Sequence, residues 1–336
     1  MMSLAVATRE ALLIVRQGSA WSLEQHLQGK NPESIAVDPG EPARLYVGTW
    51  GHGLWRSADA GRSWEPVGDG IPHAEITAVA VERGVGSHPG VIFAGTEPST
   101  LSRSDDGGET WRELSALLAL PSASSWSFPP KPDTHHVRWI ETDPNVEGRL
   151  YVAIEAGALV RSDDGGETWQ DRVPGGPFDT HTAASHAEAK DRLYSAAGDG
   201  YFESFDGGES WSRMMNGLGH GYLVGVAVDP ADANTVLVSA SAGPYFAYRP
   251  DNAEAYVYRK SARRPFELAM EGLPGASGTV ASRLATHAGE PGVFYAANNH
   301  GLFRSQDGRT SWKALGIAWP EGVFRHGVSA LEAFSG

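Results

Sequence analysis

Apolar residues come along this chain in short bursts of four to six, each closed by a turn, and nowhere in the three-and-four spacing of a long helix. The clearest burst is Leu45-Tyr46-Val47-Gly48-Thr49, with counterparts at 92–96, 150–153, 193–196, 236–239 and 294–297. Runs of this length, bounded by Gly, Pro, Asp and Asn, predict strands. Each is preceded by another apolar run. Each is followed by a stretch of the kind Gly53-Leu54-Trp55-Arg56-Ser57 and then by a segment that opens on tryptophan. The chain therefore repeats a four-strand unit six times, over about 33–67, 75–114, 136–173, 180–215, 222–270 and 280–315. A seventh unit is split. Leu4-Ala5-Val6-Ala7-Thr8 matches the second strand, Leu12, Ile14, Val15 and Arg16 the third, and Trp21 the fourth. Its missing first strand is supplied by the tail at 328–334, so that residues 1–27 and 328–336 make one unit and leave no free sheet edge.

The turn between third and fourth strands is itself a repeat. Ser162-Asp163-Asp164-Gly165-Gly166-Glu167-Thr168-Trp169 recurs letter for letter at 104–111, and looser copies lie at 57–64, 204–211 and 305–312. All five keep Ser first, Asp third and Trp eighth; the last has Arg309 where the others have Gly. Asp and Ser side chains bond nearby backbone N–H groups, Gly supplies a left-handed position, and Trp buries a large ring. The fifth unit has Ser261-Ala262-Arg263-Arg264 in this turn instead.

The pattern Ser-x-Asp-x-Gly-x-x-Trp resembles the Asp-box, or BNR, repeat. That resemblance covers nearly the whole chain and implies an all-β, seven-bladed β-propeller of four-stranded antiparallel blades, the last closed by the N- and C-terminal strands. It also implies that the Asp-box aspartates are structural and sit on the face opposite the binding site. Sialidases, xyloglucan-active glycoside hydrolases, sortilin-type receptors and photosystem II assembly factors share the repeat. Sialidases carry an Arg-Ile-Pro motif, which is absent here, and the photosystem factors carry an arginine patch, of which this sequence shows no cluster. The xyloglucan enzymes combine two propellers, and this sequence spells one. The resemblance thus carries the fold, and no family catalytic residue transfers.

Composition narrows the partners. Lys and Arg total 27 against 41 Asp and Glu, a formal charge of −14, which disfavours nucleic acid and acidic membrane surfaces. There is no Cys, so no disulfide forms, which suits the cytoplasm and leaves export open. The apolar run at 11–15 follows Arg9 and Glu10 and is too short for a signal peptide or a membrane span.

Candidate chemistry follows from the repeat. In a four-stranded blade, the loop into the first strand and the loop between strands two and three emerge on one face. His73, His135, His136, His181, His220 and His326 stand at or just before first strands, and His52 and His300 in the second kind of loop. Imidazoles from several blades, converging on an axis, predict a metal site of His73, His136, His181, His220 and His326, suited to Zn, Mn, Fe, Ni or Cu. Glu75, Glu155 and Asp179 share that face as candidate acid/base groups. Trp50, His52, Trp126, Asp199, Tyr245, His300 and Trp319 are candidate substrate contacts. Two long connections, 115–134 and 241–254, are expected to cover the same mouth. One further acid stands out. Glu141 falls in a first-strand column otherwise filled by Ala36, Ala80, Ala184, Ala227 and Ala285, with Arg138 as a candidate partner.

These features predict a hydrolase or lyase acting on a small organic or sugar-like ligand at a His-rich, metal-binding channel mouth. The alternatives are a metal-free glycoside hydrolase-like or glycan-binding propeller using two facing carboxylates, and a non-enzymatic protein-interaction scaffold.

Overall fold

The second strand of each unit is apolar on both faces, and both faces need cover. Stacking the sheets face to face around an axis provides it. The computed structural model describes residues 2–84, 89–262, 264–305 and 311–336, and they form seven antiparallel sheets, the blades of a β-propeller. The second strands Leu45–Thr49, Leu150–Ile154, Leu193–Ala197 and Phe294–Asn298 are buried at every position. Each core belongs to two blades: Tyr46 and Leu54 of the first pack with Val79, Val81 and Ile92 of the second. Six sheets have four strands. In the third blade, Val137–Thr142, Leu150–Ile154 and Ala158–Ser162 are completed only by a bridge between Arg161 and Gln170.

The first strands Pro32–Val37, Ile76–Glu82, Val137–Thr142, Thr180–Ser185, Tyr222–Asp229 and Arg283–Ala285 surround the axis, and Ala330–Ser335 closes the ring between the sixth and the first. This tail strand pairs with Met2–Ala7 from Met2 opposite Ser335 to Ala7 opposite Ala330. Leu12–Gln17 and Trp21–His26 complete that blade. The tail strand begins two residues later than the sequence suggests, but the Ser329 N–H still donates to the Ala7 carbonyl at 2.9 Å.

The Asp-boxes at 57–64, 104–111, 162–169 and 204–211 share one geometry. In the first, Ser57 Oγ donates to Asp59 Oδ1 at 2.8 Å and accepts from the Gly61 N–H at 2.8 Å. Asp59 accepts from the Ser63 N–H at 2.9 Å and the Ser63 hydroxyl at 2.6 Å. Asp106, Asp164 and Asp206 repeat the scheme. The hydroxyl and N–H of Thr110 hold the Asp106 carboxyl down to about 2. Each turn then joins the preceding blade. Arg56 Nη1 and the Tyr46 hydroxyl donate to the Gly107 carbonyl at 2.7 and 3.1 Å. Arg103 grips Gly165 at 3.0 Å, and Arg161 and Tyr151 grip Gly207 at 2.7 and 2.9 Å. Gly166, the fifth residue of its box, has φ 91°, and a Cβ there would run into Leu114, so glycine is favoured. Residues 306–310 of the last Asp-box, including Arg309, and Arg263 of the fifth blade's turn lie outside the described residues.

Removing residues 328–336 deletes an inner strand with Leu331 and Phe334 buried at 5% and 1% exposure. It should lower unfolding free energy by about 3 kcal/mol or more, read by urea denaturation. A truncated chain that unfolds at the full-length midpoint would show that the ring does not depend on this strand.

Candidate functional site at the channel mouth

Five first strands carry an extra residue at the same place. The ladder skips one position between Pro32 and Ser34, Ile76 and Ala78, Val137 and Trp139, Thr180 and Thr182, and Leu223 and Gly225. The skipped residues are Glu33, Thr77, Arg138, His181 and Val224. A β-bulge breaks the alternation of side chains and re-aims the extra one. Here the device turns Glu33, Thr77 and Arg138 into a cavity of about 530 Å³ at the channel mouth. That cavity continues into an axial channel of about 220 Å³, with Glu33, Thr77, Arg138, Arg283 and Ser329 on the wall of both.

Glu155, which follows the second strand of the third blade, is the hub. Its Oε2 lies 2.9 Å from His136 Nε2 and 3.1 Å from Arg138 Nε. His136 Nδ1 stands 3.6 Å from Glu97 Oε2, and Lys131 Nζ closes the chain at 3.0 Å from Glu97 Oε1. Burial alone would raise the Glu155 carboxyl, but the His136 hydrogen bond and the Arg138 charge hold it down to about 2. Asp179, before the fourth blade, experiences the reverse. Burial raises its carboxyl above the usual range, and the nearby charges of Glu155 and Asp199 add to this. The charge of His181 and a 2.8 Å bond from the Ala156 N–H oppose it without reversing it. His181 is fully buried, and burial pushes its pKa down. Its Nδ1, 2.6 Å from the Leu223 carbonyl, carries the proton of the neutral ring. Nε2 is then free to accept from the Tyr222 hydroxyl at 3.2 Å, with Asp179 Oδ2 3.6 Å away. Tyr222 leads on to the Tyr248 hydroxyl at 3.4 Å.

The two long connections border this mouth. Phe128 and Lys131 of one line it, with Phe128 edge-on to His136 at 4.9 Å and Lys131 Nζ 4.6 Å over the Trp50 ring. Ala247 and Tyr248 of the other line it as well, the first ending the short helix Pro244–Ala247.

The expected histidine crown does not assemble. Among the described residues, the one group of three or more His, Asp or Glu able to share an ion is Glu155, Asp179 and His181, with ligand atoms within 4.8 Å of one another. His136 joins it through Glu155. His326 sits across the mouth, half exposed, with Nδ1 2.6 Å from Glu10 Oε1. His220 is stacked on Tyr256 at 4.0 Å and bonded to the Tyr258 hydroxyl at 2.8 Å, on the edge of the fifth blade. His73 is half-buried and does not line the cavity.

The other candidates divide in the same way. Trp50 lines the mouth, whereas Trp126 is 5% exposed and packs in the core under the loop, its Nε1 bonded to Ser122 Oγ. Burial removes it as a substrate contact. Glu75 meets Trp50 through a backbone bridge and accepts the Glu97 N–H on its carbonyl, apart from the Glu155 cluster. Asp199 accepts the N–H groups of Phe178 and Asp179 at 3.2 Å each, which positions Asp179. His52 is exposed, and its carbonyl accepts from Trp55 Nε1. Tyr245 is exposed beside Phe246. His300 and Trp319 share a separate rim cavity with Phe324. Glu141 does not pair with Arg138. It accepts the N–H and hydroxyl of Ser185 at 2.8 and 2.7 Å and faces the axial channel.

Sequence reasoning missed Arg283 and the true partner of Arg138. The signal for Arg283 was present two positions before the alanines. Opposite Gly48, Gly95, Ala153, Ala196, Ser239 and Ala297 stand Ser34, Ala78, Trp139, Thr182, Gly225 and Arg283, of which only the last is charged. Arg138 stood out less, because its column also holds Glu33, Thr77 and His181, and nothing in the sequence marks that column as a bulge.

Comparison with known proteins agrees with the repeat. The family described as BNR/Asp-box repeat matches residues 160–171. An oligoxyloglucan-reducing end-specific xyloglucanase of Emericella nidulans is 28% identical over 162 residues, 44% of this chain and 18% of that protein. A xyloglucanase of Acetivibrio thermocellus is 25% identical over 286 residues, 75% of this chain and 28% of its own. The chain therefore spans under a third of the length of these curated relatives. Among solved structures, the Niastella koreensis GH74 enzyme superposes with a TM-score of 0.71 at 18% identity, over 92% of this chain and 51% of that one. YCF48 bound to D1 peptide superposes with 0.59 at 15% identity, over 93% and 84%. At these identities the two structures attest the propeller fold alone.

The raised Asp179 pKa includes the like charge of Glu155. Replacing Glu155→Gln should therefore move the Asp179 titration midpoint down, followed by carbon NMR of the side-chain carboxyl. An Asp179 that titrates identically in both proteins would show that the two groups do not share one field.

Proposed function

We propose that the channel mouth is the reaction site of a glycoside hydrolase-like propeller acting on a saccharide, with Asp179 as proton donor and Glu155 as its ionised partner. The observation that carries this reading is that two carboxyls whose facing oxygens lie within 4.8 Å of each other are shifted in opposite directions, Glu155 down and Asp179 up. Environments that push two carboxyl pKa values apart assign one as acid and the other as base or nucleophile. The similarity to xyloglucanases and the aromatic faces of Trp50 and Phe128 at the mouth support a saccharide ligand.

A separation this short suits double displacement, for which carboxyls stand about 5–5.5 Å apart, better than the roughly 6.5–9.5 Å that admits a water between them. Asp179 would give its proton to the glycosidic oxygen as the bond from C1 to that oxygen breaks, while a Glu155 oxygen bonds C1. Water would then attack the glycosyl ester, giving a proton back to Asp179 and releasing Glu155 as carboxylate. The Arg138 charge and the His136 hydrogen bond keep Glu155 ionised for the first step. Neutral His181 lets Asp179 hold its proton, since an imidazolium at 3.6 Å would drive that proton off. A metal-assisted form of the reading would seat a divalent ion on Glu155, Asp179 and His181; the guanidinium of Arg138 beside Glu155 opposes it.

Assay against xyloglucan oligosaccharides and aryl glycosides should show hydrolysis with retained anomeric configuration. Glu155→Gln and Asp179→Asn should each lower kcat about 10²-fold or more. Activity should fall as pH rises through the raised Asp179 pKa, because the donor must be protonated, and EDTA should leave the rate unchanged. Loss under EDTA that a divalent ion restores would transfer the chemistry to a metal. Hydrolysis at the parent rate in both variants would remove these carboxyls from the reaction.

A further inference from the structure

Two arginines line the passage where the mouth narrows into the axial channel. Arg138 comes from the bulge of the third blade's first strand, and Arg283 from the first strand of the sixth. Both line the mouth and the channel. Arg138 spends its Nε on Glu155. Arg283 donates from Nε to the Val328 carbonyl at 3.1 Å, which fixes the plane of its guanidinium. Among the described residues, no hydrogen bond or ion pair is made by the Nη atoms of either side chain.

The two guanidinium charges oppose each other. Burial, and after it the charge of Arg138, brings Arg283 down to about 10, so both groups are cationic at neutral pH and repel each other. The charges of Glu33 and Glu155 favour both cations, but neither carboxylate pairs with Arg283. Lys131 is matched to Glu97, and Glu155 to Arg138 and His136. Arg9 adds a third cation at the exposed rim. Glu33 shares the cavity but lies beyond 4.0 Å of any Lys or Arg nitrogen among the described residues. In a chain of net charge −14, Arg138 and Arg283 stand out at this mouth, because their Nη groups have no partner among the described residues. Arginine is the side chain best shaped for planar, two-pronged recognition of an oxyanion. A bound anion would bridge the two groups and relieve their repulsion.

We propose that Arg138 and Arg283 form a carboxylate subsite, and that the saccharide bound at this mouth is acidic, with a hexuronate placed over the channel throat. The neutral part of such a sugar faces Trp50 and Phe128, while its carboxylate takes the free Nη groups. This rests on the saccharide reading above, but it concerns binding and is measured without turnover.

The test is calorimetric titration of the full chain with D-glucuronate, D-glucose and N-acetylalanine, the last carrying a peptide-type carboxylate without a sugar ring. Glucuronate should bind about tenfold or more tighter than either comparison ligand. Arg283→Gln should abolish that preference, and Glu33→Gln should strengthen glucuronate binding severalfold by removing the one unmatched carboxylate. Should Arg283→Gln fail to fold, the Glu33→Gln result decides: tighter binding supports the subsite, unchanged binding overturns it. Equal affinity for glucose and glucuronate overturns the proposal, as does a glucuronate preference that survives Arg283→Gln. N-acetylalanine binding as tightly as glucuronate overturns the sugar in favour of a peptide carboxylate. Glucuronate binding without any hydrolysis of glycosides would sink the catalytic reading and leave this one standing. Hydrolysis of neutral glycosides without the glucuronate preference would do the opposite.

Discussion

Seven inner strands can enclose an axis only if the last blade is closed, and that closure is the pairing of Ala330–Ser335 with Met2–Ala7. Every other feature takes its place from it. The blades are apolar on both faces and cover one another in a circle, so an open gap would expose two faces at once. The Arg and Tyr side chains that hold the Asp-box glycine carbonyls work around the same circle, each tying a blade to its successor at the far rim. With the ring fixed at both rims, the loops of the opposite face converge to within reach of one another.

What those loops and bulges bring together is a charge arrangement, with no crown of imidazoles. Glu155 is ionised because His136 and Arg138 share it. The Asp179 carboxyl is shifted up because it is buried and Glu155 stands nearby, while burial pushes His181 down. The same Arg138 that stabilises Glu155 crowds Arg283 across the throat. One guanidinium thus shapes both the carboxylate cluster and the channel throat, placed by one inserted residue in the ladder between Val137 and Trp139.

The histidines show why proximity along the repeat is a weaker guide than it looks. Standing before a first strand fixes the face on which a residue emerges, and His136 and His181 do reach the site. It does not fix direction. His220 turns outward because Tyr256 and Tyr258 offer it a stacking surface and a hydroxyl, and His326 is held on the rim by Glu10. Trp126 turns down into the core because the loop that carries it needs an apolar anchor of its own.

The sequence by itself determined the repeat, the number of blades, the structural role of the Asp-box aspartates and the joining of head to tail. These are local or periodic properties: a strand period, a turn chemistry, a spacing. It also determined that Glu155 and Asp179 belong to one face. Only the tertiary structure decided that they lie within 4.8 Å of each other, that Arg138 serves Glu155 and leaves Glu141 to Ser185, and that Arg283 faces Arg138. Among these residues, Arg138 owes its place to a single unpaired residue of its strand, a bulge that four other first strands share. A β-bulge leaves no mark on hydrophobic periodicity when it falls at the end of a strand, yet it reverses the side to which a side chain points.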